Sequence, residues 1–278
     1  MRIGIVTDST SDLPSNLIEK HSLEVVPAVL VIGEQSFADG EGLSRREFYA
    51  RLPTMRKPPT TASPSTGSFQ VRYEKLLCQG ADQILSIHAP MSLSGIYNAA
   101  RLAAKAFGGR VKVLDSGQIS LGLGFQVLAA AEAIGRGALL DEVLSLVGSV
   151  RQRIRVVAML DTLEYVRRSG RVSWARAKLG DILSLKPLVE LQHGLVKRIG
   201  NTRTRRQGID RLCELIKELG ALERLAILHT NAESAIRQLV ECLQPVLSIS
   251  PLIVNVTTVI GTHIGPNGLG FAAVRAYP

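Results

Sequence analysis

Short runs rich in β-branched residues, a polar turn and then apolar positions at helical spacing repeat along the first half of the chain, the pattern of an α/β protein. Arg2 to Thr7 reads as a buried strand, and the turn Asp8-Ser9-Thr10-Ser11-Asp12-Leu13-Pro14 supplies capping groups for a helix starting near Pro14. Glu24 to Ile32 reads as a strand, closed by a turn at Gly33-Glu34-Gln35. Ser44 and Glu47 form a capping box, each side chain satisfying a free amide at the helix start, which predicts a helix through Leu52. The proline-rich stretch from Pro53 to Pro64 cannot continue that helix. A helix over 65–77 follows, and strands near 83–88 and 110–114 alternate with helices over 93–107, 119–135 and 140–151.

Beyond this point the pattern changes. Residues 186–191 and 195–199, separated by Gln192-His193-Gly194, predict a hairpin and hence antiparallel neighbours. Helices over 204–219 and 234–243 flank a strand at 224–229, and strands over 253–259 and 269–276 finish the sheet across a glycine-rich turn. The expected fold class is therefore α/β with two domains. Residues 1–153 form a three-layer α/β domain with a mostly parallel sheet, and residues 154–278 an α/β domain with a mixed or antiparallel sheet.

Composition narrows the function classes. Hydrophobic residues at 46% and charged residues at 21% fit a globular chain and exclude disorder. Asp8 stands where an export signal would need its apolar stretch, and from Cys242 to Val274 there is no charged residue, yet Pro245, Pro251 and Pro266 break any spanning helix. A cytoplasmic location is expected. Cys78, Cys213 and Cys242 are odd in number and widely spaced, so neither a disulfide framework nor a thiolate metal site is expected. The net charge of +9 is concentrated between Arg151 and Arg211. A nucleic acid would suit it electrostatically, but aromatic residues at 4% leave no stacking platform, so no nucleic-acid partner is expected. The cluster reads equally as a solvated face.

The chain has no Gly-x-x-x-x-Gly-Lys-Ser/Thr phosphate loop. Gly122-Leu123-Gly124 lacks the third glycine of a dinucleotide fingerprint, and Gly268-Leu269-Gly270 lies too near the end to be followed by the helix and strand such a site needs. No second His or Cys stands at ligand spacing from His263, so no metal is expected. His263 itself, between Gly261 and Gly265, reads either as a ligand-facing group or as a turn histidine bonded to nearby backbone. Two hydroxyl-rich segments, Thr60 to Thr66 and Ser92 to Asn98, precede helices, where hydroxyls either bind an anion or cap the helix. Asp8 and Asp115 would be the acid and base of an independent small-anion enzyme, or would serve turns and helix caps.

Several segments together resemble the DegV family of bacterial fatty-acid-binding proteins. They are Ile5 to Pro14, Thr60-Thr61 with Gly67-Ser68-Phe69, Leu93-Ser94-Gly95, Asp115-Ser116 before Gly122-Leu123-Gly124, Leu163-Glu164-Tyr165 with Gly170-Arg171, Lys186-Pro187, Arg203-Thr204, and Gly261 to Pro266. The resemblance implies an acyl chain held within or between the domains, its carboxylate gripped by the hydroxyls of Thr61 and Ser94, with Arg171, Arg203 and His263 near the head group or a partner's site. It also implies that the chain is no enzyme alone, uses no cofactor beyond the bound long-chain acid such as palmitate, and presents that acid to a separate fatty acid kinase for phospholipid synthesis. Under this reading the basic cluster is a docking face for the kinase or for transient contact with a membrane surface. The chain departs from the family pattern at Ala62-Ser63, Ile96, Asn201 and Asn267.

Overall fold

A computed structural model describes residues 2–176, 185–244 and 247–277. Lys178 and Pro245 lie outside the described residues. The first sheet is parallel, in the order β2 (Glu24–Val26), β1 (Ile3–Asp8), β6 (Gln83–His88), β7 (Val111–Asp115). In β1 and β6 nearly every residue is buried, as required of parallel strands covered on both faces. Helices α3 (Thr66–Cys78) and α4 (Ile96–Ala104) cover one face through Phe69, Tyr73, Ile96 and Ala100.

The second sheet is mixed, in the order β10 (Leu195–Thr202), β9 (Lys186–Gln192), β8 (Ile154–Met159), β13 (Leu269–Arg275), β11 (Leu222–His229), β12 (Leu252–Asn255). The β9–β10 hairpin forms as its sequence predicts. β10 is an edge strand that alternates exposed and half-buried positions and carries Lys197 and Arg198, charges that discourage further strand addition. Helices α8 (Arg205–Lys217) and α9 (Glu233–Leu243) cover its outer face.

Helix α5 (Leu121–Gly135) lies between the two sheets and is buried on almost every side, so its sequence is apolar all round rather than on one stripe. Gly122 and Gly124 set how closely it packs: a Cβ on Gly122 would stand 2.5 Å from Val156 of β8, and one on Gly124 would stand 2.7 Å from the Ser11 carbonyl. The Gly-x-Gly pair is therefore a packing device. Helix α6 (Leu140–Arg153) packs on α5, and β8 follows directly at Ile154.

Four expectations need correction. Glu24 to Ile32 is two strands, because Pro27 cannot donate to a ladder; β3 (Val29–Ile32) leaves the first sheet and joins a small antiparallel one in the order β4 (Gln35–Ala38), β3, β5 (Thr60–Ala62). β5 lies inside the proline-rich stretch that reads as irregular. The run 253–259 does not continue as a strand, since Thr257 caps a short helix, α10 (Thr258–Ile264), by accepting from the Ile260 amide. Finally, Cys213 on α8 and Cys242 on α9 form a disulfide; the packing of the two helices side by side brings together residues 29 positions apart. Among the described residues no helix is long and apolar enough to cross a membrane.

Candidate functional site

The parallel sheet changes direction of winding between β1 and β6, and open α/β sheets bind ligands at such a point, outside the carboxyl ends of the strands. Here that crevice is roofed by the second sheet. The result is a cavity of about 450 Å³ that reaches from Thr10 and Ala89, just past β1 and β6, to Val156, Val189 and Leu269 of the second sheet. Its walls are mostly Ala, Val, Leu and Ile; among the described residues that line it there is no Phe, Tyr or Trp and no carboxylate, and Arg171 is the one side chain of fixed charge.

The polar groups of the lining differ in what they have left to offer. Thr10 donates to Asp8, Ser92 to the Gly194 carbonyl, Ser120 to Asp12 and Ser169 to the Val166 carbonyl, so their protons are spent. Thr61 is held by the β5–β3 ladder opposite Leu30, and its Oγ1 is 2.9 Å from His263 Nε2 in the last turn of α10. Ser94 precedes α4, where its Oγ accepts from the Ile96 amide and lies 3.4 Å from Ser63 Oγ. Thr61 and Ser63, two apart in extended chain, point the same way. Arg171 follows helix α7 (Glu164–Ser169), donates Nη1 to the Ser169 carbonyl, and has no carboxylate within ion-pair distance among the described residues.

Burial, and then the positive charge of Arg171, push the His263 pKa down from 6.5 to about 4, so its imidazole is neutral near pH 7. Its Nδ1 is buried without a partner. A bare acceptor costs less there than a bare N–H, which places the proton on Nε2. Nε2–H then donates to Thr61 Oγ1, leaving the Thr61 proton free. Ser94, which accepts from Ile96, likewise keeps its proton. Two hydroxyl donors with a cation beside them, at one place on an aliphatic wall, can bind an anionic head group attached to an apolar body.

Of the residues expected at the site, Thr61, Ser94, Arg171 and His263 therefore line one cavity. Arg203 does not. It is exposed, and its backbone N–H donates to Gln207 Oε1. Two local expectations also change: Thr61 sits on a strand rather than in a helix-entry loop, and His263 sits in a helix rather than a turn. Ser63 was not anticipated, although the alternation Thr61, Ser63 carries the signal once that segment is read as extended.

The carboxylates of the alternative enzyme reading are occupied by structure. Asp8 accepts from Thr10 N, Ala89 N and His88 Nδ1, and His88 Nε2 meets Ser86 Oγ at 2.6 Å. This Asp-His-Ser order resembles a nucleophilic triad, but all three residues are fully buried beneath Phe69, and Ser86 also pairs with Tyr73. Asp115 holds the Met91 and Gly117 amides. Among the described residues no cluster of His, Cys, Asp and Glu could hold a metal.

Comparison with known proteins agrees with this architecture. A DegV domain-containing protein of Streptomyces coelicolor is 35% identical over 96% of both chains, and one of Deinococcus radiodurans is 33% identical over 98% of both. A DegV family protein of Thermus thermophilus, described as binding fatty acid, superimposes with a TM-score of 0.92 at 34% identity, covering 99% of this chain and 100% of its own. DegV of Bacillus subtilis, described as a fatty acid binding protein, gives 0.87 at 29% identity, covering 99% and 100%. The family described as uncharacterised proteins of the DegV type matches residues 2–276, and the chain belongs to the DegV family.

Proposed function

We propose that this protein binds a long-chain fatty acid in the aliphatic cavity, with the carboxylate at Thr61 and Ser94 and the tail running between the two sheets. The observation that carries the reading is the make-up of the cavity lining: Thr61 and Ser94 gather with Arg171 and His263, while the remaining surface is mostly aliphatic. Size agrees. A cavity of about 150 Å³ holds benzene, so one three times larger takes on the order of eighteen heavy atoms, the number in palmitate. Burying about fourteen methylenes at roughly 0.8 kcal/mol each supplies on the order of 11 kcal/mol before ordering costs.

Thr61 and Ser94 fix the head because an unpaired carboxylate in a dry pocket would cost several kcal/mol or take up a proton. Neutral His263 orients the Thr61 hydroxyl, and Arg171 adds attraction at the mouth. The chain has no phosphate loop, which supports the role of a carrier that presents its acid to a separate kinase; Arg203, exposed and away from the cavity, belongs to that partner's docking face. Mass spectrometry under non-denaturing conditions tests the first step: protein as purified, or incubated with palmitate, carries one fatty acid, and preparations that stay empty after incubation refute it. With a fatty acid kinase added, Arg203→Glu slows acyl phosphate formation while palmitate affinity stays within about twofold; equal loss of both refutes the docking assignment.

A further inference from the structure

A second cavity, of about 420 Å³, shares Leu191 with the lining of the first. It opens between the end of α6, the start of β8, the turn at Gly117-Gln118 and the tip of the β9–β10 hairpin. Its chemistry is the reverse of the first. Arg151, Arg153, Arg155 and Arg275 line it with His193, Gln152 and Gln192, and Glu190 is the one carboxylate among the described lining residues.

The charges do not cancel. Glu190 is consumed by Arg155, which reaches it through Nε at 2.9 Å and Nη2 at 3.4 Å. Arg153 pairs with Glu223 at 2.6 Å, outside the lining, donates Nη1 to the Arg275 carbonyl, and stacks over Tyr277 at 4.0 Å, so its charge is compensated. Arg151 donates Nη1 to the Asp115 carbonyl and lies against Gly117, where a Cβ would stand 2.8 Å from its Nη2. Neither Arg151 nor Arg275 has a carboxylate within ion-pair distance among the described residues. Two uncompensated guanidinium groups, those of Arg151 and Arg275, therefore belong to the lining of one polar cavity. A multivalent anion would satisfy both, and the planar fork of arginine matches phosphate oxygens in pairs.

We infer that this cavity is a binding site for a phosphate-bearing anion, separate from the acyl cavity and built by Arg151 and Arg275. The site does not depend on the fatty-acid reading. The phosphate comes either from a free di- or polyphosphate or from an anionic lipid head group, and two experiments distinguish them. Calorimetric titration of the full chain with pyrophosphate at low salt is expected to show saturable one-to-one binding, unchanged by prior loading with palmitate. Arg275→Gln and Arg151→Gln each weaken it by about tenfold or more, whereas Arg237→Gln, exposed on α9, leaves it unchanged. Arg275 is exposed at the end of β13, so its replacement leaves the core intact. Co-sedimentation with phosphatidylglycerol vesicles, set against phosphatidylcholine vesicles, reports the lipid-borne source. Saturable binding in either arm that Arg275→Gln weakens supports the site and identifies the source. Absence of binding in both, or binding that Arg275→Gln does not alter, overturns it.

Discussion

Replacing Thr61 by Val removes the hydroxyl while keeping the branched shape that β5 presents to the cavity, so it isolates one hydrogen bond. A hydrogen bond to an ionised carboxylate contributes about 1.5–3 kcal/mol, and the tail term is untouched because the aliphatic walls do not change. Palmitate Kd is therefore expected to rise roughly 10- to 150-fold. The variant also removes the acceptor of His263 Nε2–H, 2.9 Å away, but in the free and loaded protein alike, so that loss cancels from the affinity. Isothermal titration at pH 7.5 measures the change, and methyl palmitate supplies the control: it has the same tail but no charge to bind, so Thr61→Val shifts its affinity by less than about twofold, while Thr61→Ser restores the acid. An unchanged palmitate Kd in Thr61→Val, or an equal loss for the methyl ester, refutes the grip on the carboxylate.

Two titrations oppose each other in stability. His263 has its folded pKa lowered to about 4, so the folded state resists the proton that the unfolded chain takes near 6.5, and about 2 kcal/mol is lost on going from neutral pH to pH 5. Asp12 is shifted the other way: burial raises its pKa to about 6, the folded state binds the proton first, and stability grows by roughly 1–2 kcal/mol as pH falls through the same range. Urea unfolding of the native chain should thus vary little between pH 7 and 5, whereas His263→Asn becomes more stable toward pH 5; a variant that keeps the native profile contradicts the histidine assignment. Gly261→Ala is expected to cost about 1–3 kcal/mol in thermal unfolding, because its Cβ would stand 2.2 Å from the buried Tyr49 hydroxyl, which is already bonded to the Val256 and Thr257 carbonyls. Reduction of Cys213–Cys242, which closes a loop across 29 positions, lowers stability by about 3 kcal/mol, and no shift in the urea midpoint on adding dithiothreitol excludes the bond.

What could be read in the sequence depended on range. Elements governed by neighbours, such as the helix that Ser44 caps and the hairpin at Gln192-His193-Gly194, are found where their local signals put them, although Glu47 pairs with Arg51 instead of closing the expected capping box. The errors lie where a distant partner decides. Val29 to Ile32 is as β-rich as the strand before it, and its partners, β4 and β5, fix its sheet. The run after Ile253 is apolar enough for a strand, yet Thr257 turns it into a helix that delivers His263 to Thr61, 202 positions away. The side-by-side cysteines of α8 and α9 leave no trace in spacing at all. The gathering of Thr61, Ser94, Arg171 and His263 at one cavity was legible through family likeness, whereas Arg203 shares that likeness without sharing the cavity.

The position of α5 limits how a ligand enters. The helix is a keel common to both sheets, clamped through Gly122 on one side and Gly124 on the other, with Glu132 tied to Arg224 of β11 at its far end. Swinging the halves of the molecule apart would strip water-shy surface from both faces of one rod at once, a penalty no single acyl tail could return. Traffic through the cavity must instead use small excursions at its rim, around Met91 and Arg171, while the frame behind them stays shut.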